Sequence, residues 1–247
     1  MRYFIKLAFK GTNYHGWQTQ PDANTVQETI NKALTMLLKT PIDIVGAGRT
    51  DTGVHAKQMY AHFDFTLNLE IEINQLLQKL NSFLPSDIVI LDIFKVANDA
   101  HARFDAIKRT YEYQIHSFKD VFETELSYQF KRPLNINSMN KACAILLKHS
   151  DFECFSKVHT DVRSFNCEIF EAHWKQNDTK IVFTISANRF LRNMVRAIVG
   201  TMINVGTAKI NATDFEKIIH NKNRNQAGFS VPAHGLYLTK IEYPYIK

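Results

Sequence analysis

The chain has 247 residues, of which 45% are hydrophobic and 22% are charged, as in ordinary soluble proteins. This length is ample for a real core and suits one large domain or two small ones packed together. Lysine and arginine number 30 against 24 acidic residues, a net charge of +6. The positive excess favours a polyanionic partner without establishing one.

The composition and the spacing of residues argue against several classes of protein. No apolar run reaches the length of a membrane span, and residues 1–6 are too polar for a secretory signal, so we expect a cytoplasmic protein. The three cysteines, an odd number, form no Cys-x-x-Cys pair, which argues against a disulfide framework or a structural zinc site. The ten histidines show no metal-binding spacing, so we predict neither a metal nor a cofactor.

The first half of the chain alternates strand and helix patterns. Apolar residues at every second position predict a strand at 5–9. Thr25 and Glu28 have the spacing of a capping box, which predicts a helix beginning after Thr25. The remaining patterns predict strands at 42–45, 59–65 and 88–96 and a helix at 73–83.

The second half has a similar order of elements, although no sequence repeat is evident. We predict a strand at 110–117, a helix at 137–148, a hairpin of 165–174 with 180–187, a helix over the apolar stripe 191–203, a helix capped by Thr213, and a closing strand at 236–243. The elements predict two halves, 1–103 and 104–247, with no low-complexity linker between them. We therefore expect the halves to share an interface.

The most informative segment follows the strand predicted at 42–45. Residues 46–56 read Gly-Ala-Gly-Arg-Thr-Asp-Thr-Gly-Val-His-Ala. Asp-Thr-Gly alone is typical of a plain turn in which the aspartate bonds its own backbone. In extended backbone, however, Arg49 lies on the same side as Asp51, where it would keep the carboxylate ionised. Such a carboxylate can act as a nucleophile or as a base.

Asp-Thr-Gly is also the active-site triplet of aspartic proteases. That chemistry needs two carboxylates that share a proton. This chain has one such triplet and would have to dimerise through it, and its neighbours are polar rather than apolar. A dimeric aspartic protease is therefore a remote alternative.

The segment Gly-Arg-Thr-Asp-Thr-Gly-Val-His-Ala resembles the catalytic motif of the tRNA pseudouridine synthase A family. Other segments resemble that family in the same order along nearly the whole chain. They are residues 14–18 with 25–28, 101–104, 109–113, 194–200 and 235–238. Jointly these motifs are far more specific than any one of them.

The resemblance implies a fold and an activity. The fold would be α+β, the pseudouridine synthase fold: two similar α/β halves with mainly antiparallel sheets joined side by side, helices outside, and an RNA cleft between them. The activity would be isomerisation of uridine to pseudouridine at positions 38–40 of the tRNA anticodon stem-loop, without a cofactor. The resemblance also implies a homodimer that binds tRNA. A catalytically inactive tRNA-binding module is the alternative within the same family.

The resemblance also implies site residues. Asp51 matches the essential aspartate and would attack the sugar or remove a sugar proton. Arg49 matches its arginine partner, and Arg196 matches a second arginine near the aspartate. Tyr111 matches the tyrosine packed on the target base, and Leu236 the apolar residue on the other side of that base.

Residues 101–104 match the segment that contacts RNA in the family. His101 and Arg103 place basic side chains next to Phe104, a combination that suits phosphate contact and base stacking. Lys108 and Arg109 follow closely and add to this basic cluster.

Three interpretations stay open. Arg196 falls on a predicted helical stripe with Arg189, Arg192, Asn193 and Gly200. This stripe would track phosphates, face a carboxylate, or be an ordinary solvated face. Residues 164–168 and Cys154 depart from the family pattern, so contacts made there in relatives are in doubt. We interpret Cys154 and Cys167 as small buried residues. A Cys154–His159 nucleophile pair is the remote alternative.

Overall fold

The computed structural model describes residues 1–66, 72–157, 163–177 and 179–246. Contacts group the chain into two compact units. The first is Met1–Ile107 together with the chain from Leu238 onward, and the second is Lys108–Tyr237.

The first unit contains an antiparallel sheet. Its strands are β1 (Arg2–Phe9), β2 (Val45–Gly46), β3 (His55–Asp64), β4 (Ile88–Val96) and β9 (Leu236–Glu242), in the order β4-β1-β3-β9 with β2 also beside β3. The central strand β1 is antiparallel to both β3 and β4. Its Phe4 lies opposite His62 and Phe94, so an aromatic row runs across three strands.

Two helices accompany this sheet. Helix α1 (Val26–Leu38) begins where predicted, because the Thr25 hydroxyl accepts a hydrogen bond from the Glu28 amide. Helix α2 (Ile73–Phe83) has the predicted bounds and packs beside β4 and α1. Leu76 and Leu80, one turn apart, are its buried residues.

The second unit is also α+β. Strand β5 (Lys108–His116) pairs antiparallel with β8 (Lys180–Ala187), which pairs antiparallel with β7 (Ile169–Asn177). A two-residue strand, β6 (Tyr128–Gln129), joins β5 in parallel and was not predicted. Helices α3 (Ile136–Leu146), α4 (Met194–Gly206) and α5 (Ala212–Asn221) pack against one another. The predicted class, α+β with mainly antiparallel sheets, is confirmed.

Four local predictions were wrong. Residues 42–44 form no strand, because the amides of Ile42 and Ile44 bond side chains of α1. Residues 165–168 lie outside β7, in a segment held by an isolated bridge from Asn166. Helix α5 is capped by Asn211 and not by Thr213, because Asn211 forms the capping box with Asp214. The helix predicted from residue 191 begins at Met194.

The contact units differ from the predicted halves, 1–103 and 104–247, in their boundary, which follows Ile107, and in the last strand. The last strand was predicted with the second half, but its residues from Leu238 group with the first unit. Strand β9 pairs with β3, the Ile241 amide bonds Gln58, and the Tyr243 hydroxyl donates to the Ala102 carbonyl. None of the helices in the described ranges combines the length and apolarity that a membrane crossing needs.

Candidate active site

Asp51 opens a tight turn that leads into β3. The Val54 amide donates to the Asp51 carbonyl at 3.1 Å. Gly53, the third residue of this turn, has a φ of 78°, which glycine adopts without strain. The plain-turn interpretation of Asp-Thr-Gly therefore describes the backbone correctly, while the Asp51 side chain is half-buried.

A second segment, residues 11–17, fixes this loop by backbone contacts. The Gly53 amide donates to the Tyr14 carbonyl, and the Trp17 amide to the Thr50 carbonyl, both at 3.3 Å. Gly16 has a φ of 87°, and a Cβ added there would lie 2.3 Å from the Thr50 carbonyl oxygen. The backbone at position 16 therefore packs so closely on the Asp51 loop that no side chain fits at that position.

Asp87 anchors residues 11–17 in turn, a role that sequence reasoning missed. Its two carboxylate oxygens accept hydrogen bonds from the Tyr14 hydroxyl at 2.6 Å and from the side-chain amide (Nδ2) of Asn13 at 3.0 Å. Burial, together with the hydrogen bond to this carboxylate, raises the pKa of Tyr14. Asp87 lies in the turn before β4, and no pattern in the sequence connects it with residues 11–17.

Arg49 is exposed and donates from Nε to Gln18 Oε1 at 3.3 Å. Gln18 in turn donates to Oε1 of the buried Gln27, which donates to the Ile44 carbonyl at 2.7 Å. A chain of amide side chains therefore connects Arg49 with helix α1. The pairing of Arg49 with Asp51 stays a prediction.

The segment predicted to contact RNA, residues 101–104, forms a loop that is held by its own hydrogen bonds and ring contacts. His101 Nδ1 accepts from the backbone amides of Arg103 and Phe104 at 3.1 and 3.3 Å. The His101 ring lies 4.2 Å from the Phe104 ring, centroid to centroid, and the Arg103 guanidinium is 5.8 Å from that ring. Phe104 is nevertheless 75% exposed. An exposed aromatic ring with a cation beside it is a surface that suits a nucleobase.

His62 contacts the loop 101–104, and this role was not predicted from the sequence. Its buried ring accepts a hydrogen bond from the Ala102 amide and meets the His101 ring edge-on at 4.7 Å. Burial, with the charge of Arg2, lowers the pKa of His62 to about 4. The His62 ring is therefore neutral near pH 7 and keeps the lone pair that holds the loop.

Tyr111, in the second unit, lies on β5 opposite Ile185 of β8. Its ring is half-buried and meets the Phe190 ring edge-on, with centroids 5.1 Å apart. Phe190 was not singled out from the sequence. This contact gives the Tyr111 ring a fixed orientation, as a stacking platform needs.

Arg196 lies in the first turn of α4 and is tied to the segment 228–231. Its Nε donates to the Val231 carbonyl at 2.7 Å, and the Val231 amide donates back to the Arg196 carbonyl. The prediction that a basic stripe runs along this helix was wrong. Arg189, Arg192 and Asn193 precede the helix, because Asn193 has a left-handed φ of 67°.

Gly200 does not belong to a phosphate-tracking surface either. A Cβ at Gly200 would lie 1.8 Å from the Phe229 carbonyl oxygen. Its lack of a side chain therefore serves the packing of the segment 228–231 on α4.

Leu236 begins β9 and is 6% exposed. The preceding Gly235 packs on Tyr113, because a Cβ there would lie 2.7 Å from the Tyr113 ring. The Tyr113 hydroxyl also donates to the Pro232 carbonyl at 2.8 Å. Since Tyr113 and Tyr111 are two residues apart on β5, these contacts hold Leu236 next to the strand that carries Tyr111.

The three cysteines are free and buried, which confirms the interpretation of Cys154 and Cys167 as small buried residues. Burial raises the pKa of Cys143 and of Cys154 to about 12 and that of Cys167 to about 11. A thiol with so high a pKa supplies little thiolate at neutral pH. This argues against Cys154 as a nucleophile, and its suggested partner His159 lies outside the described residues.

Comparison with known proteins points to one family. A family model described as tRNA pseudouridine synthase matches residues 7–105 and 142–244. The tRNA pseudouridine synthase A of Porphyromonas gingivalis is 50% identical over 245 residues, 98% of this chain and 97% of that protein. Those of Bacteroides fragilis and Thermoanaerobacter sp. strain X514 are 49% and 39% identical, each over more than nine-tenths of both chains.

The fold and these matches define the class of the protein as an α+β enzyme that isomerises uridine in RNA. The chain belongs to the tRNA pseudouridine synthase family. Membership disfavours both the aspartic protease and the inactive binding module. Among the predicted site residues, Tyr111 falls between the two stretches that the family model matches.

Proposed function

We propose that this chain converts uridine to pseudouridine at positions 38–40 of the tRNA anticodon stem-loop, with Asp51 as the catalytic carboxylate. The observation that carries the proposal is the Asp51 loop, whose position is fixed by backbone hydrogen bonds to Tyr14 and Trp17. A carboxylate on a rigid turn is presented with little loss of conformational freedom when substrate binds. The loop lies within the part of the chain that matches the family model.

The reaction needs one bond broken and one formed. The bond between the sugar C1′ and the base N1 breaks, the base turns, and C1′ joins C5 of the base. The C5 hydrogen leaves as a proton and N1 gains one, so no water or redox partner is consumed. In this reaction Asp51 acts as a nucleophile at the sugar or as a base that removes a sugar proton. Both roles need its ionised form.

The other residues are proposed to hold the flipped uridine. A base inside the stem is out of reach, so it must leave its stack. Arg49 and Arg196 would pair with the catalytic carboxylate or the displaced backbone. Tyr111 would stack on the target base and Leu236 would cover its other side. The proposal also includes a homodimer that binds tRNA, taken from the family resemblance, and a cytoplasmic location.

Release of tritium tests the proposed reaction. An unmodified tRNA transcript labelled with tritium at uridine C5 is incubated with the native protein. We expect release from a transcript with uridine at 38–40 and none from one in which cytidine replaces those uridines. Equal release from both transcripts would contradict the proposed positions, and no release from any anticodon-arm substrate would contradict the activity.

Phe104→Ala is expected to weaken tRNA binding by roughly 10-fold, because a base stacked on an aromatic ring contributes about 1–3 kcal/mol. The unfolding midpoint should change little, since the ring is 75% exposed. Binding is measured by fluorescence anisotropy over a series of salt concentrations. Phe122→Ala, at a ring that is 84% exposed in the second unit, is the matched control. Equal affinities for the two variants would exclude Phe104 from the RNA surface.

A further inference from the structure

A cluster of two histidines and a glutamate lies in the second unit. His149, Glu216 and His220 each present one ligand-type atom, and these atoms all lie within 4.8 Å of one another. It is the one such group of three found in the described part of the chain. None of its members belongs to the residues assigned to catalysis or RNA contact.

The cluster is assembled from two separate elements. Glu216 and His220 are four residues apart on α5, so their side chains lie on one face of that helix. His149 follows α3, and its own amide donates to the Leu146 carbonyl at 3.2 Å. Sequence spacing does not reveal the cluster, because His149 is far from Glu216 and His220 along the chain.

The ligand-type atoms of the cluster are close together, within 4.8 Å of one another, and are not joined by a hydrogen bond at His149. His149 Nε2 is buried and has no hydrogen-bond partner. It points at Glu216 Oε1 from 3.6 Å, too far for a hydrogen bond, while the His149 and His220 rings meet edge-on at 4.9 Å. Ligands about 2.0–2.2 Å from a tetrahedral zinc ion lie roughly 3.3–3.6 Å apart, so small side-chain rotations would close the cluster around one ion.

We propose that His149, Glu216 and His220 bind a zinc-like transition-metal ion that links the end of α3 to α5. Imidazole and carboxylate ligands suit zinc, and three protein ligands leave its fourth position to water. An ion pair already joins the same two segments, because Lys222 Nζ lies 2.6 Å from Asp151 Oδ2. The metal would be a second, stronger link between them. This inference departs from the sequence-based expectation of no metal and does not depend on the proposed activity.

Metal binding is tested on the full chain, purified without a histidine tag and stripped of metal. Zinc is titrated against a chromophoric chelator, cobalt(II) is used to record the absorption of a tetrahedral site, and thermal unfolding is followed with and without zinc. We expect one zinc per chain, tetrahedral cobalt bands, and an unfolding midpoint raised by about 5–10 °C at a hundredfold excess of zinc over Kd. Magnesium should have no effect.

Two variants remove ligands at a half-buried and an exposed position, Glu216→Gln and His220→Asn. Each is expected to weaken zinc binding by at least about 100-fold while its metal-free unfolding curve overlays that of the native protein. His173→Asn is the control, because His173 also contacts a carboxylate, Glu171 at 3.1 Å, outside the cluster. The proposal is overturned if the native protein binds zinc no more tightly than the two variants, or if His173→Asn weakens binding equally.

Discussion

Asp51→Asn is expected to reduce tritium release from uridine-labelled tRNA by at least about 10⁴-fold, while tRNA affinity changes little. Asparagine keeps the size and the turn-forming capacity of aspartate, so the Asp51–Val54 turn should persist. What it lacks is the negative charge, which both roles proposed for Asp51 require. Turnover is measured by tritium release in a single-turnover experiment, and binding by fluorescence anisotropy on the same transcript.

A second aspartate provides the control for this substitution. Asp43 lies in the same unit, is exposed, and accepts a hydrogen bond from Asn31 at 2.7 Å. Asp43→Asn removes the same charge from the chain and should leave turnover within about twofold of the native rate, because an exposed charge contributes little. Normal turnover by Asp51→Asn would exclude Asp51 as the catalytic group. A parallel loss of tRNA binding would assign it to the binding of RNA.

Gly16→Ala is expected to destabilise the protein by about 3 kcal/mol or more and to abolish turnover. The φ of 87° at Gly16 is one that alanine adopts at a cost of about 1–2 kcal/mol. The added Cβ would also lie 2.3 Å from the Thr50 carbonyl oxygen, so the backbone beside Asp51 must move. The free energy of unfolding in urea and the rate of tritium release are the two measurements.

Gly48→Ala is the matched control, because it lies in the same loop. A Cβ at Gly48 meets no atom within 4 Å, and its φ lies outside the left-handed region. Its free energy of unfolding should stay within about 1 kcal/mol of the native value. If Gly16→Ala and Gly48→Ala were equally stable, the close backbone contact would not be what fixes the Asp51 loop.

The strands and helices that were predicted well are those whose sequence pattern coincides with their local environment. Strand β4 and helix α2 have the predicted bounds, because a run of apolar residues and a helical apolar face are each bounded by a proline or a turn. Residues 42–44 were mispredicted because their amides bond side chains of α1 that lie 7 and 13 residues upstream, and such contacts leave no trace in a local pattern. The start of α4 depended on one left-handed residue, Asn193, which lies between Leu191 and Met194, the first two residues of the apolar stripe.

The candidate site shows the same limit. Motifs in which neighbouring residues act together predicted Asp51, Arg49 and the segment 101–104. The residues that support them act across the chain: Asp87 holds residues 13 and 14, and His62 holds the amide of Ala102. Such pairs form only when the fold brings distant segments together. A local pattern in the sequence therefore does not indicate them.

The most direct test of the proposed function maps pseudouridine at single-nucleotide resolution. An unmodified tRNA transcript with uridines both inside and outside the anticodon arm is incubated with the native protein and, in parallel, with Asp51→Asn. Pseudouridine is then located by chemical modification and reverse transcription. We predict product at positions 38–40 with the native protein and at no position with Asp51→Asn. Product at other uridines only, or equal product with both proteins, would contradict the proposal.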